Sequence, residues 1–147
     1  RFYRKNKVKF KDSKDVPKEE LRKILSSWLK RRNRNDRVNK DYYLNLINNN
    51  FKGLDMAKTM YVNGKPCTIT AGWKIPNSND YYSAIGLYDH KYEGLGEIAN
   101  MDDLTQIKNK GYEYADFGDS TESLLQFKKK FGPESFYRTY WFHIVRK

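Results

Sequence analysis

Residues 82–96 read YSAIGLYDHKYEGLG, and the interpretation of the whole chain starts from this stretch. It predicts a strand that ends near Asp89 and His90, then a turn and a helix start at Gly94-Leu95-Gly96. Two glycines there let backbone N–H groups approach an anion, and the helix N-terminus adds partial positive charge. The turn is therefore a candidate phosphate or pyrophosphate site, although such a glycine pair is more often a plain turn. The sequence contains no G-x-x-x-x-G-K-[ST] motif, so a P-loop nucleotidase is not indicated.

Helical and strand periodicities alternate along the rest of the chain. Asp15 and Pro17 mark a helix start, because aspartate caps helices and proline suits the first turn. Asn63-Gly64 predicts a two-residue hairpin turn, and Gly111 ends the helix that Gly94 opens. The predicted strands are 2–10, 56–62, 68–75, 81–88, 112–117 and 136–145, and the predicted helices begin near 17, 39, 94 and 121. This order predicts a mixed α/β (α+β) fold, in which a twisted mixed sheet has helices on both faces.

A second informative segment is YADFGDS at 114–120, which ends a predicted strand in small and acidic residues. The helix predicted after it contains FKKKFG at 127–132. Open α/β sheets usually place ligands at such strand ends. Asp116 is therefore a candidate proton acceptor, and Lys128 is a candidate donor to a developing oxyanion.

Other polar residues have simpler interpretations. Asp119 and Ser120 are expected to cap the following helix more readily than to take part in catalysis. His90 is an alternative base that ranks below the aspartate, because a histidine beside a turn is more often simply exposed. His143 is expected to be a core or surface residue, and Cys67 a buried apolar one.

The turn K-x-x-G-x-G at 91–96, with its strand and helix, resembles the GNAT superfamily of N-acyltransferases. The pairing of DFGDS at 116–120 with FKKKFG at 127–132 is most similar to the Fem-type aminoacyl transferases and to the C-terminal domain of phosphatidylglycerol lysyltransferases. The resemblance is clearest over residues 56–147. It implies a GNAT fold, a strand pair that separates around an acyl donor, and acyl transfer to an amine.

The resemblance also implies roles for individual residues. Donor phosphates would lie at four residues of the turn, namely Lys91, Gly94, Leu95 and Gly96. Lys91 takes the place of the Arg or Gln in the common acyl-CoA pattern. The Phe127-Lys128 pair stands where many acetyltransferases have a general-acid tyrosine, and in Fem-type enzymes it lies at the aminoacyl ester. Phe127 and Lys128 thus become catalytic candidates beside Asp116, with Lys128 stabilising the tetrahedral intermediate.

The positive charge is concentrated at one end of the chain. Residues 1–40 contain 16 Lys/Arg and 5 Asp/Glu, a net charge of +11, whereas residues 41–147 contain 13 of each. The densest cluster comprises Lys30, Arg31, Arg32, Arg34 and Arg37. Such a cluster indicates binding to a polyanion, whether tRNA, DNA, an anionic membrane surface or an acidic partner. The simpler alternative is a solvated helix face.

Composition excludes several other classes. With 147 residues, one domain is expected, and because the chain begins with Arg1 it could be a domain excised from a longer protein with another domain upstream. One cysteine and two histidines cannot form an internal disulfide or a four-ligand zinc site, so no metal is expected. No apolar run approaches about 18 residues and no signal peptide is visible, which favours a cytoplasmic domain.

These observations together favour a GNAT-fold acyltransferase with no tightly bound cofactor. Aminoacyl-tRNA is the preferred donor over acyl-CoA, because a tRNA body offers a long phosphate surface to the basic N-terminal segment. The acceptor is expected to bear an amine. Two alternatives remain open: a non-catalytic nucleic-acid-binding module with this fold, and an ordinary acetyl-CoA-dependent N-acetyltransferase.

Overall fold

The computed structural model describes residues 2–32, 39–140 and 144–145. Within them the helices are α1 (Phe2–Lys5), α2 (Lys18–Lys30), α3 (Lys40–Asn48), α4 (Leu95–Asn109) and α5 (Glu122–Lys129). The strands are β1 (Val8–Asp12), β2 (Met56–Val62), β3 (Lys65–Lys74), β4 (Tyr81–Tyr88) and β5 (Ala115–Asp116). Among the residues described, no helix combines the length and the apolar character that crossing a bilayer requires.

These strands form one sheet in the order β1-β2-β3-β4-β5. β1 to β4 are antiparallel neighbours, whereas β5 runs parallel to β4. Asn63 and Gly64, between β2 and β3, have φ angles of 52° and 80°, which confirms the predicted hairpin turn. The backbone N–H of Lys7 donates to the Asn63 side chain at 2.9 Å, and this bond ties β1 to the hairpin.

Helices cover both faces of the sheet, as predicted. On one face, α2 and α3 pack on the strands through Leu21, Ile24, Leu25, Trp28 and Ile47, which meet Ala57, Ile69, Ala71, Ile85 and Leu87. On the other face, α4 packs through Leu95 and Ala99 against Met60, Val62 and Cys67. Each fully buried large aliphatic side chain contributes about 1.5–3 kcal/mol, so the two layers supply most of the drive to fold.

A β-bulge interrupts β4 opposite a glycine of β3. The pairing shifts between Ala71 and Gly72, so that Ala84 is the extra residue of β4. A bulge bends its strand and leaves the extra residue outside the regular ladder. A Cβ on Gly72 would lie 2.8 Å from the Tyr81 ring and closer still to the carbonyl oxygen of Tyr82. Only glycine therefore fits opposite the bulge.

The first ten residues differ from the prediction. A strand over 2–10 is wrong in its first half, because Phe2–Lys5 form a helix and the strand spans Val8–Asp12. The Phe2 ring packs edge-on against Tyr92, with ring centroids 6.5 Å apart. This contact is distant in sequence, which is why local periodicity does not indicate the helix.

The predicted Asp15 cap is also wrong. Asp15 ends a short 3₁₀ turn, Ser13–Asp15, and Asp12 caps that turn by accepting from the Lys14 N–H at 3.2 Å. α2 then begins after Pro17, and no side chain of the described residues caps it.

The C-terminal strands are shorter than predicted. The strand expected over 112–117 is reduced to Ala115–Asp116. The strand expected over 136–145 is wrong where it can be assessed, since 136–140 and 144–145 form none, while 141–143 lie outside the described residues. A strand needs a partner along its length, and a β5 of two residues offers almost no edge for pairing.

Candidate functional site

β4 and β5 separate soon after they meet. They pair only at Tyr81–Ala115 and Tyr82–Asp116. Beyond these pairs, β4 continues to Tyr88, whereas the segment that follows β5 turns away at Gly118 (φ 65°). Beyond Tyr82, the backbone N–H groups on this edge of β4 have no strand partner within the described residues. The gap between the two strands is a cleft, and this edge of β4 presents both unpaired N–H and unpaired C=O groups to it.

The face of β4 is open at Gly86, next to the cleft. Gly86 lies on β4 beyond the last pair with β5 and is exposed. A Cβ built on Gly86 would meet no atom within 4 Å. The face of β4 at Gly86 therefore has room for a ligand.

The N-terminus of α4 closes one end of this cleft. Gly94 precedes the helix with φ 76°, and no side chain of the described residues caps it. The first N–H groups of a helix have no acceptor inside the helix, so they are available to an anion. A Cβ on Gly96 would lie 3.2 Å from the Tyr88 ring and 3.5 Å from the Phe127 ring, so glycine lets both rings approach the helix start.

Leu95 and Lys91, two of the four residues predicted to bind donor phosphates, have side chains that contact other parts of the protein. The Leu95 side chain is buried in the core, so only its backbone N–H could contribute. The Lys91 ammonium lies 3.5 Å from one carboxylate oxygen of Asp89. The other oxygen of Asp89 accepts from the Ser27 hydroxyl of α2 at 2.9 Å. Asp89 therefore links α2 to the turn in front of α4.

The basic cluster adjoins the same turn. Between α2 and the end of β4 lies a groove of about 640 Å³, whose charged lining residues are four basic ones and two acidic ones, namely Arg22, Lys23, Lys30, Lys91, Glu19 and Asp89. Burial lowers the pKa of His90, and the nearby Arg31 and Arg32 lower it further against the opposing effect of Asp89. The Arg32 guanidinium stacks 4.6 Å from the centroid of the Trp28 ring. Arg34 and Arg37, the other predicted members, lie outside the described residues.

Asp116 orders the loop that leaves β5. One of its carboxylate oxygens accepts from the Gly118 N–H at 2.7 Å, and the other accepts from the Tyr137 hydroxyl. This second bond, more than burial, raises the pKa of Tyr137 to about 12. The Tyr82 ring lies over Gly118, where a Cβ would be 2.6 Å from the Tyr82 hydroxyl. The role of Asp116 as a base stays a prediction.

Lys128 is half-buried beneath the same loop. Its ammonium donates to the carbonyl oxygens of Phe117, Gly118 and Asp119, the last two at 3.2 and 3.1 Å. Burial lowers the pKa of Lys128, while Asp119 and Asp116 raise it. An ammonium has three donors, so these three carbonyls use all of them. To stabilise a substrate oxyanion, Lys128 would have to exchange one carbonyl for the substrate.

The structure brings two of the three catalytic candidates to one loop and places the third elsewhere. Asp116 and Lys128 hold residues 117–119, whereas Phe127 lies at the α4 start beside Gly96. The expected cap by Asp119 or Ser120 is wrong, because Thr121 is the N-cap of α5 and makes no capping side-chain hydrogen bond. In place of a side-chain cap, Lys128 from the helix itself holds the loop before α5.

Among the remaining candidates, Cys67 and His90 lie within the residues that the structure describes, whereas His143 lies outside them. Cys67 is buried as predicted, and its thiol lies 3.2 Å from the carbonyl oxygen of Lys65. The His90 ring packs edge-on against Tyr88 at 5.1 Å between centroids, at the end of β4.

Sequence reasoning missed Asp103 of α4, which is only 3% exposed and accepts from the Ser83 hydroxyl at 2.7 Å. A signal for it exists in the sequence. The residues that α4 buries at intervals of four are Leu95, Ala99, Asp103 and Ile107. A carboxylate in an otherwise apolar stripe indicates a buried polar contact.

Comparison with known proteins supports the fold. No protein-family model and no curated protein matches the chain. An aminoglycoside acetyltransferase from an uncultured soil metagenomic sample, in complex with sisomicin, superposes with a TM-score of 0.68 at 13% identity and full coverage of both chains. A GNAT family acetyltransferase from Streptococcus pneumoniae gives a TM-score of 0.60 at 13% identity, covering 96% of this chain and 100% of the other.

A third solved structure, an aminoglycoside N-acetyltransferase in complex with CoA, gives a TM-score of 0.59 at 12% identity and covers 97% and 95% of the two chains. At such identities the likeness concerns the fold alone. The chain therefore has the mixed α/β fold of the GNAT acetyltransferases.

Proposed function

We propose that this protein is an acyltransferase that moves an acyl group from an activated thioester or ester to an amine. The observation that supports this most is the separation of β4 and β5 beside the uncapped start of α4. It joins unpaired main-chain donors to an anion-binding helix terminus within one cleft. The fold shared with acetyltransferases, one of them in complex with CoA, is consistent with this chemistry.

In the proposed reaction, the donor phosphates bind at the N–H groups of Gly94 to Gly96, with Lys91 nearby. The donor carbonyl lies against the unpaired edge of β4, whose N–H groups stabilise the oxyanion. The amine nitrogen attacks the carbonyl carbon, and the C–S or C–O bond to the donor breaks. The proton lost by the amine passes to a base and then to the leaving group, with Asp116 as first candidate and His90 as second.

For Lys128 we propose a double role that follows from its contacts. In the free protein it holds the loop at 117–119. During transfer, one of its three donors turns from a loop carbonyl to the substrate oxyanion, as the resemblance to Fem-type enzymes implies. Its half-buried position makes such a bond stronger than it would be in water.

An acyl-CoA donor is tested first by thermal unfolding with acetyl-CoA. A ligand at 100 times its Kd stabilises a fold by about 2.7 kcal/mol, which for a domain of this size raises Tm by about 5–10 °C. We expect such a shift, together with acetylation of a panel of primary amines detected by mass spectrometry. Lys128→Ala should lower the transfer rate more than Lys129→Ala, its exposed neighbour. No shift at millimolar acetyl-CoA and no transfer would contradict acyl-CoA as donor.

A second candidate donor is aminoacyl-tRNA, and the basic groove favours it. Arg22, Lys23 and Lys30 of α2 line the groove that reaches Lys91, so a phosphate chain bound there would lead to the donor site. Polyanion binding weakens steeply with salt, in proportion to the number of phosphates contacted. The closest relationship would then be to Fem-type aminoacyl transferases.

Binding of tRNA at rising salt concentration tests this candidate. We expect Lys23→Ala and Lys30→Ala each to weaken binding and to reduce the slope of log K against log salt by about 1. Lys52→Ala, on the exposed turn after α3, serves as the matched control and should change neither. If these variants leave the slope unchanged, the tRNA binds elsewhere on the protein or is not the donor.

The same experiments separate catalysis from binding alone. A non-catalytic module would bind nucleic acid in a salt-dependent manner, transfer no acyl group from either donor, and show no effect of Lys128→Ala beyond loop stability. Acyl transfer from either donor would exclude this alternative.

A further inference from the structure

A buried polar cluster joins α4 to β3 and β4 on the face away from α2. Asp103 accepts from the Ser83 hydroxyl at 2.7 Å, and the side chain of Thr70 also donates to this carboxyl group. Asp103 and Thr70 are 3% and 6% exposed. The Tyr81 hydroxyl is buried close by, without a hydrogen-bond partner in the described part of the chain.

Stability does not explain this cluster. A buried carboxyl group is costly unless it is well paired, and the neighbouring charge at Asp102 is negative as well. Burial raises the pKa of Asp103, and the hydrogen bonds from Ser83 and Thr70 oppose that rise.

The position of Ser83 suggests another reason. Ser83 follows Tyr82, the last residue of β4 that pairs with β5, and it precedes Ala84, the extra residue of the bulge. The hydrogen bond from Ser83 to Asp103 therefore holds β4 at the residue where the cleft begins. Beyond Tyr82, no strand of the described residues holds this edge of β4 from the β5 side.

We propose that Asp103 is a positioning residue: by accepting from Ser83, it fixes the bulge at Ala84 and so keeps the unpaired N–H groups of β4 directed toward the donor carbonyl. The inference rests on the proposed function, which places an acyl carbonyl in the cleft. Asp103 acts through Ser83 and not on the reacting atoms.

The test compares two substitutions of Asp103. Asp103→Leu removes the acceptor and places a larger apolar group there, whereas Asp103→Asn keeps the volume and retains an oxygen that can accept from Ser83. We expect Asp103→Leu to lower kcat for acyl transfer about 10–100-fold with KM for the donor within about twofold, because small displacements of catalytic donors are costly. Asp103→Asn should recover kcat to within about threefold of the unsubstituted protein. Asp102→Leu, one residue away and partly exposed, is the control and should have no effect on kcat.

A second readout separates this inference from the proposed function. Hydrogen exchange of the β4 backbone amides that bond to β3 over residues 83–87 should speed up in Asp103→Leu and match the unsubstituted protein in Asp103→Asn, while amides of β2 remain unchanged. If the unsubstituted protein transfers no acyl group but these amides loosen, the proposed function fails and the positioning role stands.

Unchanged exchange of the amides that β4 bonds to β3 over residues 83–87, or an unchanged kcat in Asp103→Leu, would overturn the positioning role. If Asp103→Leu does not fold, Ser83→Ala replaces it in both measurements. That variant removes the same hydrogen bond from the strand side without placing a larger group in the core.

Discussion

Gly72→Ala is expected to destabilise the protein by about 3 kcal/mol, the largest effect of any single methyl group that we expect in this chain. The added Cβ would lie 2.8 Å from the Tyr81 ring and closer to the carbonyl oxygen of Tyr82. Tyr81 is fully buried, and the carbonyl belongs to the backbone, so neither group can move aside without shifting β4. The bulge at Ala84 would be displaced with it.

Urea unfolding measures this effect, and Gly86→Ala is the matched control. Gly86 lies in the neighbouring strand, and its added methyl group would meet no atom within 4 Å. We expect the control to stay within about 0.5 kcal/mol of the unsubstituted protein, and Gly72→Ala to lose about 10 °C in Tm. Equal stabilities for the two variants would show that β4 does not approach β3 as closely as described.

Gly86→Leu is expected to abolish donor binding while leaving the fold intact. The leucine would project from the face of β4 opposite Ile85 and Leu87, beside the edge along which the donor is proposed to lie. Since the position is exposed and lies in a strand, a branched apolar residue should cost little or no stability. We expect the Kd for acetyl-CoA to rise at least about 100-fold, which corresponds to about 2.7 kcal/mol.

Isothermal titration with acetyl-CoA measures this loss, and urea unfolding shows whether the fold is retained. Gly86→Ala again provides the graded control, because a single methyl group leaves most of the cleft open. It should weaken binding by less than about fivefold. Tight acetyl-CoA binding by a folded Gly86→Leu variant would place the donor outside the cleft between β4 and β5.

The sequence predicts those elements whose signals are local. The spacing of Leu21, Ile24, Leu25 and Trp28 predicts α2, because neighbours at three and four positions share one helix face. The hairpin at Asn63-Gly64 is predictable for a similar reason, since both residues adopt positive φ at low cost.

Elements that depend on distant partners could not be predicted in this way. The length of β5 depends on how far β4 runs beside it, and the bulge at Ala84 depends on the register against β3. The three carbonyls that surround Lys128 come from another element, and periodicity does not reveal them. The residue types of the candidate site are visible in the sequence, but their hydrogen-bond partners are not.

The two-residue pairing of β5 has a consequence for how such a chain can change over generations. The strands β1 to β4 are joined by antiparallel ladders, whereas the chain after residue 112 meets them and α4 through the short β5 pairing and a few side chains, among them Phe127 beside Gly96 and Lys130 with Glu97 at 2.8 Å. Substitutions in this C-terminal part away from those contacts therefore cost the rest of the fold little. Under the proposed function, selection for a new amine can act there while the β4 edge and the α4 start remain as they were.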